Sequence, residues 1–375
     1  MNTKTFKGGF KFKKYEGSPS EKLISIAIDE NIERTTQDWQ NLSPQKIEEI
    51  ISFLDFSSLK EFHNIENLII HAIDSEPFPF SLNILLNENN FQKFIDGIKI
   101  LKKIMPKTNI HLALNKDDKE IIKKLETSIS DIDNLKTYTI EAKYPQEFDQ
   151  ILIPTILNKS AMDISVNVLN IQAVLYVYEA VAEGKPSTNQ LIALCGSSFK
   201  ENVYAVVKIG TPLEDVLKDR LKDNNCRIII NSILTGYKAE NLQMPIDRTI
   251  SKIIAIPENT EREFMPFLAP GLKKDSYSYS FLSSIFQLPK SVETNLHGEE
   301  RPCIQCGYCV SACPVAIMPI HLSRMAKVNI NDKLKTFGIE KCIDCNLCSF
   351  VCPAKIPLAQ HIKSAKTKLT EIGKE

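Results

Sequence analysis

Eight of the ten cysteines fall into two runs near the end of the chain, CIQCGYCVSACP and CIDCNLCSFVCP. Both read C-x2-C-x2-C-x3-C-P, and 28 residues lie between Cys313 and Cys342. The ligand candidates are Cys303, Cys306, Cys309, Cys313, Cys342, Cys345, Cys348 and Cys352. This is the spacing of bacterial [4Fe–4S] runs. Three cysteines at two-residue gaps let a short loop wrap three irons of one cubane. The fourth sits a turn later, points away, and in two-cluster folds ligates the other cluster. One cluster then takes Cys303, Cys306, Cys309 and Cys352, and the other takes Cys342, Cys345, Cys348 and Cys313. Iron cross-links the two halves, so folding should depend on cluster insertion. Zinc is the competing chemistry, but its sites generally use four Cys or His in two pairs. Two four-Cys runs, each closed by proline, fit zinc poorly. Two adjacent clusters favour an electron relay over a brace, which needs only one centre.

The residues around the motifs suit this chemistry. Pro314 and Pro353 fix φ after the fourth cysteine and turn the chain out of the loop. Gly307 and Asn346 each follow the second cysteine, where a permissive backbone helps the loop close around inorganic sulfide. Ile317, Ile320, His321, Arg324 and Met325 show helical spacing between the motifs, as does IPLAQHIKSAKTKL after the second. Residues 299–375 therefore read as a C-terminal helical domain of two-[4Fe–4S] ferredoxin type. His321 and His361 hold matching places after their motifs, where they either tune the clusters or lie on plain helix surface. Cys195 and Cys226 sit beside apolar strands and read as buried structural thiols. His71, at a strand end, reads as a core or rim histidine. The pairs Lys13–Lys14, Lys102–Lys103, Lys123–Lys124 and Lys273–Lys274 read as solvated faces.

The upstream elements must position these residues. After a turn-rich N-terminal segment (1–30), Ser43 and Pro44 predict a helix start, with a helix to about Leu54. A strand over 67–73, a Pro-containing loop over 74–80, a helix from Glu88 to Ile104 and a strand over 109–115 follow. A helix in KDDKEIIKKLETSI and a strand over 137–142 complete the series. Alternating strands and helices predict a Rossmann-like parallel α/β sheet over 31–185, closed by a helix over 171–184. Residues 186–258 read as a separate β-rich unit, with strands at 191–198, 201–211, 226–231 and 251–258 and a helix over 212–223. Residues 259–298 read as a linker. The fold class expected is multidomain α/β plus a small β domain plus the cluster domain.

Composition narrows the function classes. Lys and Arg number 46, as do Asp and Glu, so a surface that coats nucleic acid or membrane is not expected, although a local patch can hide in a neutral total. No run reaches the roughly 18–20 apolar residues of a spanning helix. The basic N-terminus has no apolar h-region, so no secretory signal is expected. A reducing cytosol then makes clustered cysteines ligands rather than disulfides. Glycine is scarce, at 13, and none occurs between Gly17 and Gly97. The first strand–loop–helix region thus lacks the usual Gly-rich phosphate loop of nucleotide sites.

The chain resembles the RnfC family, the C component of the Rnf-type electron transport complex. TFKGGF (5–10) resembles the family's opening TFKGG, and NLIIHAIDSEPF (67–78) its "LIINGAECEPY" segment, with Glu76 and Pro77 retained. KYPQEFDQILI (143–153) is similar to "KYPQGAEKQLI", and VNVLNIQAVLYVYEAVAEGKP (166–186) to "VQNVGTAYAIYEAVRDGKP". VYAVVKIGTPLEDVL (203–217) resembles the family's soluble ligand-binding β-grasp (SLBB) domain, which assigns 186–258 to that fold. The segments share one order over most of the chain. The departures matter equally. The family's "GLGGAGFPT" loop, which goes with flavin and NADH, is replaced by the glycine-free DFSSLKEFHNIEN. The family's Gly- and Val-rich barrel-like segment is shortened between residues 20 and 43. Asp74 and Ser75 stand where the family often has Glu and Cys.

The resemblance implies an iron–sulfur subunit that relays single electrons and has lost the dehydrogenase site. It implies two [4Fe–4S] clusters, with FMN and NADH sites lost. The implied partners are membrane and soluble subunits of an Rnf-like complex and a soluble electron donor or acceptor, with no nucleic acid. The implied place is peripheral, on the cytoplasmic face of the inner membrane. No side chain need act as acid, base or nucleophile. Two alternatives remain open: a dehydrogenase subunit with an atypical NADH or flavin site, and a scaffold or adaptor with structural clusters.

Overall fold

The computed structural model describes residues 3–4, 7–12, 15–27, 37–53, 65–159, 164–185, 188–258, 300–328 and 331–372. The expected linker and residues 55–64 of the expected glycine-free stretch lie outside them. Two short strands, β1 (Thr3–Lys4) and β2 (Leu23–Ile26), come first. Helix α1 (Pro44–Ser52) starts as predicted: the Ser43 hydroxyl accepts from the Lys46 N–H at 3.3 Å, and Pro44 takes the first position.

Strand β3 (Asn67–Ala72), the short α2 (Leu82–Leu85), α3 (Glu88–Ile104), β4 (Asn109–Asn115), α4 (Lys119–Ser128) and β5 (Leu135–Ile140) follow. Next come α5 (Asp149–Leu157), β6 (Val166–Asn170) and α6 (Ile171–Ala182). The sheet order is β1-β5-β4-β3-β6, and every pairing is parallel. Leu68, Ile69 and Ile70 are all buried, as a parallel strand covered on both faces requires. Helices α3 and α6 pack closely through Gly97, where a Cβ would stand 2.7 Å from the Val174 carbonyl oxygen. Two elements are absent from the predicted series. Pro154 inside α5 argues against a helix locally, and in VNVLN asparagines interrupt the apolar run of β6. The strand expected at 137–142 is shifted toward the N-terminus as β5.

The second sheet comprises β7 (Asn189–Cys195), β8 (Val203–Lys208), β9 (Cys226–Ile230), β10 (Tyr237–Lys238) and β11 (Lys252–Pro257), with β2 on its edge. Its order is β10-β9-β11-β7-β8-β2, with parallel pairs β11–β7 and β2–β8 and the rest antiparallel. The helix expected over 212–223 shrinks to α7 (Leu213–Leu217), because Lys218 is extended and Asp219 turns to φ +59°.

The C-terminal region is helical: α8 (Tyr308–Ala312), α9 (Pro319–Lys327), α10 (Asn331–Thr336), α11 (Leu347–Phe350) and α12 (Leu358–Ile372). Leu322, Leu334, Ile339 and Ile362 form its own apolar core. Some lysines read as solvated are engaged. Lys102 donates to the Thr108 carbonyl at 2.8 Å, Lys103 reaches the Gln40 carbonyl, and Lys124 lies 4.0 Å over the Phe91 ring. Among the described residues no helix is long and apolar enough to cross a membrane.

Candidate iron–sulfur centres and the adjoining cavity

The two cysteine loops fold alike. Gln305 and Asp344 lie two residues past the first cysteine of their motifs, at φ +57° and +55°. Gly307 and Asn346 follow the second, at φ +76° and +60°, and Ala316 and Lys355 lie three past the fourth, at +54° and +57°. The left-handed backbone thus recurs at the same places, three of the six held by the Gly, Asn or Asp that most readily adopt it.

Cys303, Cys306, Cys309 and Cys352 line one cavity of about 310 Å³ together with His321 and Arg324. Cys306 is exposed and Cys309 buried. A Cβ on Gly307 would meet nothing within 4 Å, so this loop faces open space. Burial pushes the Cys309 thiol up, and Cys352, Cys306 and Cys303 add to it. The second set is Cys342, Cys345, Cys348 and Cys313. Burial raises Cys348 most, followed by Cys345, Cys342 and Cys313 as neighbours. Burial pushes Cys345 up to about 12 and Cys342 up to about 11. The fourth cysteine of each motif therefore stands with the first three of the other.

Among the described residues no three His, Cys, Asp or Glu groups gather tightly enough to hold a lone metal ion. The thiols of the first set line the 310 Å³ cavity instead. A cubane needs thiolates spread around its body, so this donor set fits one.

The second set is tied to the rest of the molecule. Tyr144 is fully buried and its phenol donates to the Cys345 carbonyl at 2.8 Å. Asn346 donates to the Leu234 carbonyl, and Lys366 donates to the Cys342 carbonyl at 2.8 Å. The N-terminal segment crosses beside it. Gly9 N–H donates to the Ala312 carbonyl at 2.7 Å, and Phe10 and Tyr144 exchange backbone hydrogen bonds at 2.9 Å. At Gly8, φ +76°, a Cβ would lie 2.4 Å from the Cys313 carbonyl oxygen. The histidines at matching sequence places diverge. His321 lines the first cavity, whereas His361 Nδ1 lies 2.7 Å from Ser323 Oγ. Cys195 is fully buried, and Cys226 is half-buried at the start of β9.

A second cavity of about 360 Å³ opens at the C-terminal ends of β3 and β6, where the strand order reverses. Such switch points are where open α/β sheets bind ligands. Its wall includes His71, Asp74, Glu76, Glu147, Thr235 and Lys252. Lys252, 4% exposed, pairs with Asp74 at 2.6 Å and Glu76 at 3.3 Å. Burial pulls the Lys252 ammonium down, but the two carboxylates together push it higher, so it stays charged. Burial first, then Asp74 and Glu76, pushes Glu147 up to about 8, while Ser75 donates to it. Burial lowers His71. Asp74 and Glu76 were visible in the 67–78 segment. Glu147 and Lys252 carry no local signal, because one follows a Pro-Gln turn and the other opens an otherwise apolar strand. The described wall offers a phosphate one ammonium, already held by two carboxylates, beside a third carboxyl. Among the described residues, this wall gives a flavin or nicotinamide phosphate no unpaired cation.

Comparison with known proteins follows the same division. Residues 55–179 match the Nuo51 FMN-binding domain, 191–241 the NQRA C-terminal domain, and 302–356 the 4Fe-4S dicluster domain. Two curated relatives are each named as the C component (RnfC) of an ion-translocating oxidoreductase complex. The one from Buchnera aphidicola is 26% identical over 82% of this chain and 55% of its own length. The one from Citrobacter koseri is 27% identical over 83% of this chain and 40% of its own. This chain is a homologue of RnfC. It spans about half the length of the RnfC relatives it matches, and residues 302–356 form an iron–sulfur domain of the dicluster type. A structure of an NAD+-reducing [NiFe]-hydrogenase in the H2-reduced state has a similar fold. Its TM-score is 0.50 at 12% identity, covering 86% of this chain and 63% of that one.

Proposed function

We propose that this chain is the iron–sulfur electron-transfer subunit of a membrane-associated Rnf-like complex. The observation that carries this reading is the division of eight cysteines into two crossed sets, one with Cys306 exposed and the other with no exposed cysteine. In this reading Cys303, Cys306, Cys309 and Cys352 hold one [4Fe–4S] cluster, and Cys342, Cys345, Cys348 and Cys313 hold the other. Each cluster supplies a centre that takes up and releases one electron. The chain's own residues do the rest. The left-handed loop positions shape the two cradles. Tyr144, Phe10 and the Gly8–Gly9 turn shield the second set from water. Cys306 leaves the first set accessible to a partner. The partners in this reading are membrane and soluble subunits of the complex and a soluble donor or acceptor, with the chain peripheral on the cytoplasmic face of the inner membrane.

The match of 55–179 to an FMN-binding family supports a second reading, a flavin-linked dehydrogenase subunit. The acidic wall of the switch-point cavity weighs against it. One experiment separates them. Anaerobically reconstituted protein should bind about eight irons, as two cubanes require, and give an EPR signal on reduction. It should carry no flavin absorbance, and NADH should not reduce its clusters. Far fewer irons with no signal would overturn the relay, and flavin with NADH-driven reduction would establish the dehydrogenase.

A further inference from the structure

We propose that Lys366 and Asp344 form a charge pair that sets the reduction potential of the centre containing Cys342, independently of the centre containing Cys306. The inference rests on the cysteine sets proposed above. Asp344 lies between two cysteines of the second motif, at a left-handed position of the loop. Its Oδ1 stands 3.7 Å from Cys342 Sγ. Its Oδ2 accepts from Lys366 Nζ at 2.6 Å. The same ammonium donates to the Cys342 carbonyl at 2.8 Å. One carboxylate therefore abuts a ligand sulfur, and one cation from α12 covers that carboxylate.

The consequence is electrostatic. Reduction adds one negative charge to the centre. A bare carboxylate at this distance from sulfur opposes that charge, and the ammonium cancels the opposition. Both side chains are partly exposed, 28% for Lys366 and 36% for Asp344, so added salt should screen the effect. The equivalent position in the first motif is Gln305, which is uncharged, and Arg324 on the first cavity has no acid beside it in the lining. The pair thus belongs to one centre only, which provides an internal control.

The test is a redox titration followed by EPR on the reconstituted full chain and on Lys366→Gln, Asp344→Asn, the double variant and Lys366→Arg. Lys366→Gln should move one centre to a more negative potential, and Asp344→Asn should move that same centre to a more positive one. The double variant should return toward the starting value, Lys366→Arg should leave it nearly unchanged, and the other centre should not move. Shifts should shrink as ionic strength rises. Unmoved potentials, or shifts of one sign in both single variants, would overturn the proposal, since a purely structural role predicts no opposition of sign. A starting protein without two iron–sulfur signals would overturn the ligand reading itself, and this proposal with it.

Discussion

The phenol of Tyr144 donates a 2.8 Å hydrogen bond to the carbonyl of Cys345, 201 residues later in the chain. It joins the α/β sheet region to the second cysteine loop. Thr235, on the switch-point cavity wall, reaches the same phenol. Tyr144→Phe keeps the ring contacts with Phe12 and Phe148 and removes this bond together with the Thr235 contact to the phenol. It should leave a buried carbonyl unsatisfied and lower stability by about 1–3 kcal/mol. Anaerobic denaturation of the iron-loaded protein measures this, and an unchanged midpoint would show that the bond is not made.

Gly8 should be irreplaceable where Gly307 is not. Both have φ +76°, but alanine at Gly8 meets the Cys313 carbonyl, whereas alanine at Gly307 meets open space. Gly8→Ala should cost more than about 1 kcal/mol, the backbone strain alone, because the clash adds to it. Limited proteolysis should then cut the N-terminal segment faster in Gly8→Ala than in Gly307→Ala. Equal rates would contradict the packing.

The switch-point cavity should make stability depend on pH. Glu147 rises from an ordinary 4.5 to about 8 in the fold, chiefly through burial. A raised carboxyl holds its proton better when folded. The stability it lends is complete below about 4.5 and is lost as pH climbs through about 8. Glu147→Gln cannot ionise, so its stability relative to the parent should grow over that window and then level off. Parallel pH curves for the two proteins would refute the assignment.

Removing one cysteine from each set should separate relay from brace. Cys306→Ala and Cys345→Ala should each lose one EPR signal, lowering bound iron from about eight toward about four. Cys345→Ala should also destabilise the chain more, because its loop is held by Tyr144, Asn346 and Lys366. Electron transfer that survives intact in either variant would remove the relay reading.

Local signals wrote much of this protein openly. The cysteine spacing, the Ser43–Pro44 start and the long amphipathic α3 need only neighbours in sequence, because loop wrapping, capping and helical periodicity are short-range effects. Strand β6 and helix α5 stayed hidden because their polar and proline residues are tolerated only once neighbouring elements cover them. The basic and acidic halves of the charge balance were hidden too. Residues 300–372 carry ten Lys and Arg against five Asp and Glu, which the neutral total conceals.

The sequence by itself determined which cysteines are grouped by motif and that no Gly-rich run lies between Gly17 and Gly97. Only the tertiary structure decided that Tyr144 caps the second loop, that Gly8 must lack a side chain, and that Lys252 is held between Asp74 and Glu76. The physical reason is distance along the chain. A motif's spacing constrains atoms a few bonds apart, whereas these contacts join residues far apart in sequence. They form only when two sheets, a helical module and an N-terminal segment bury their apolar faces together.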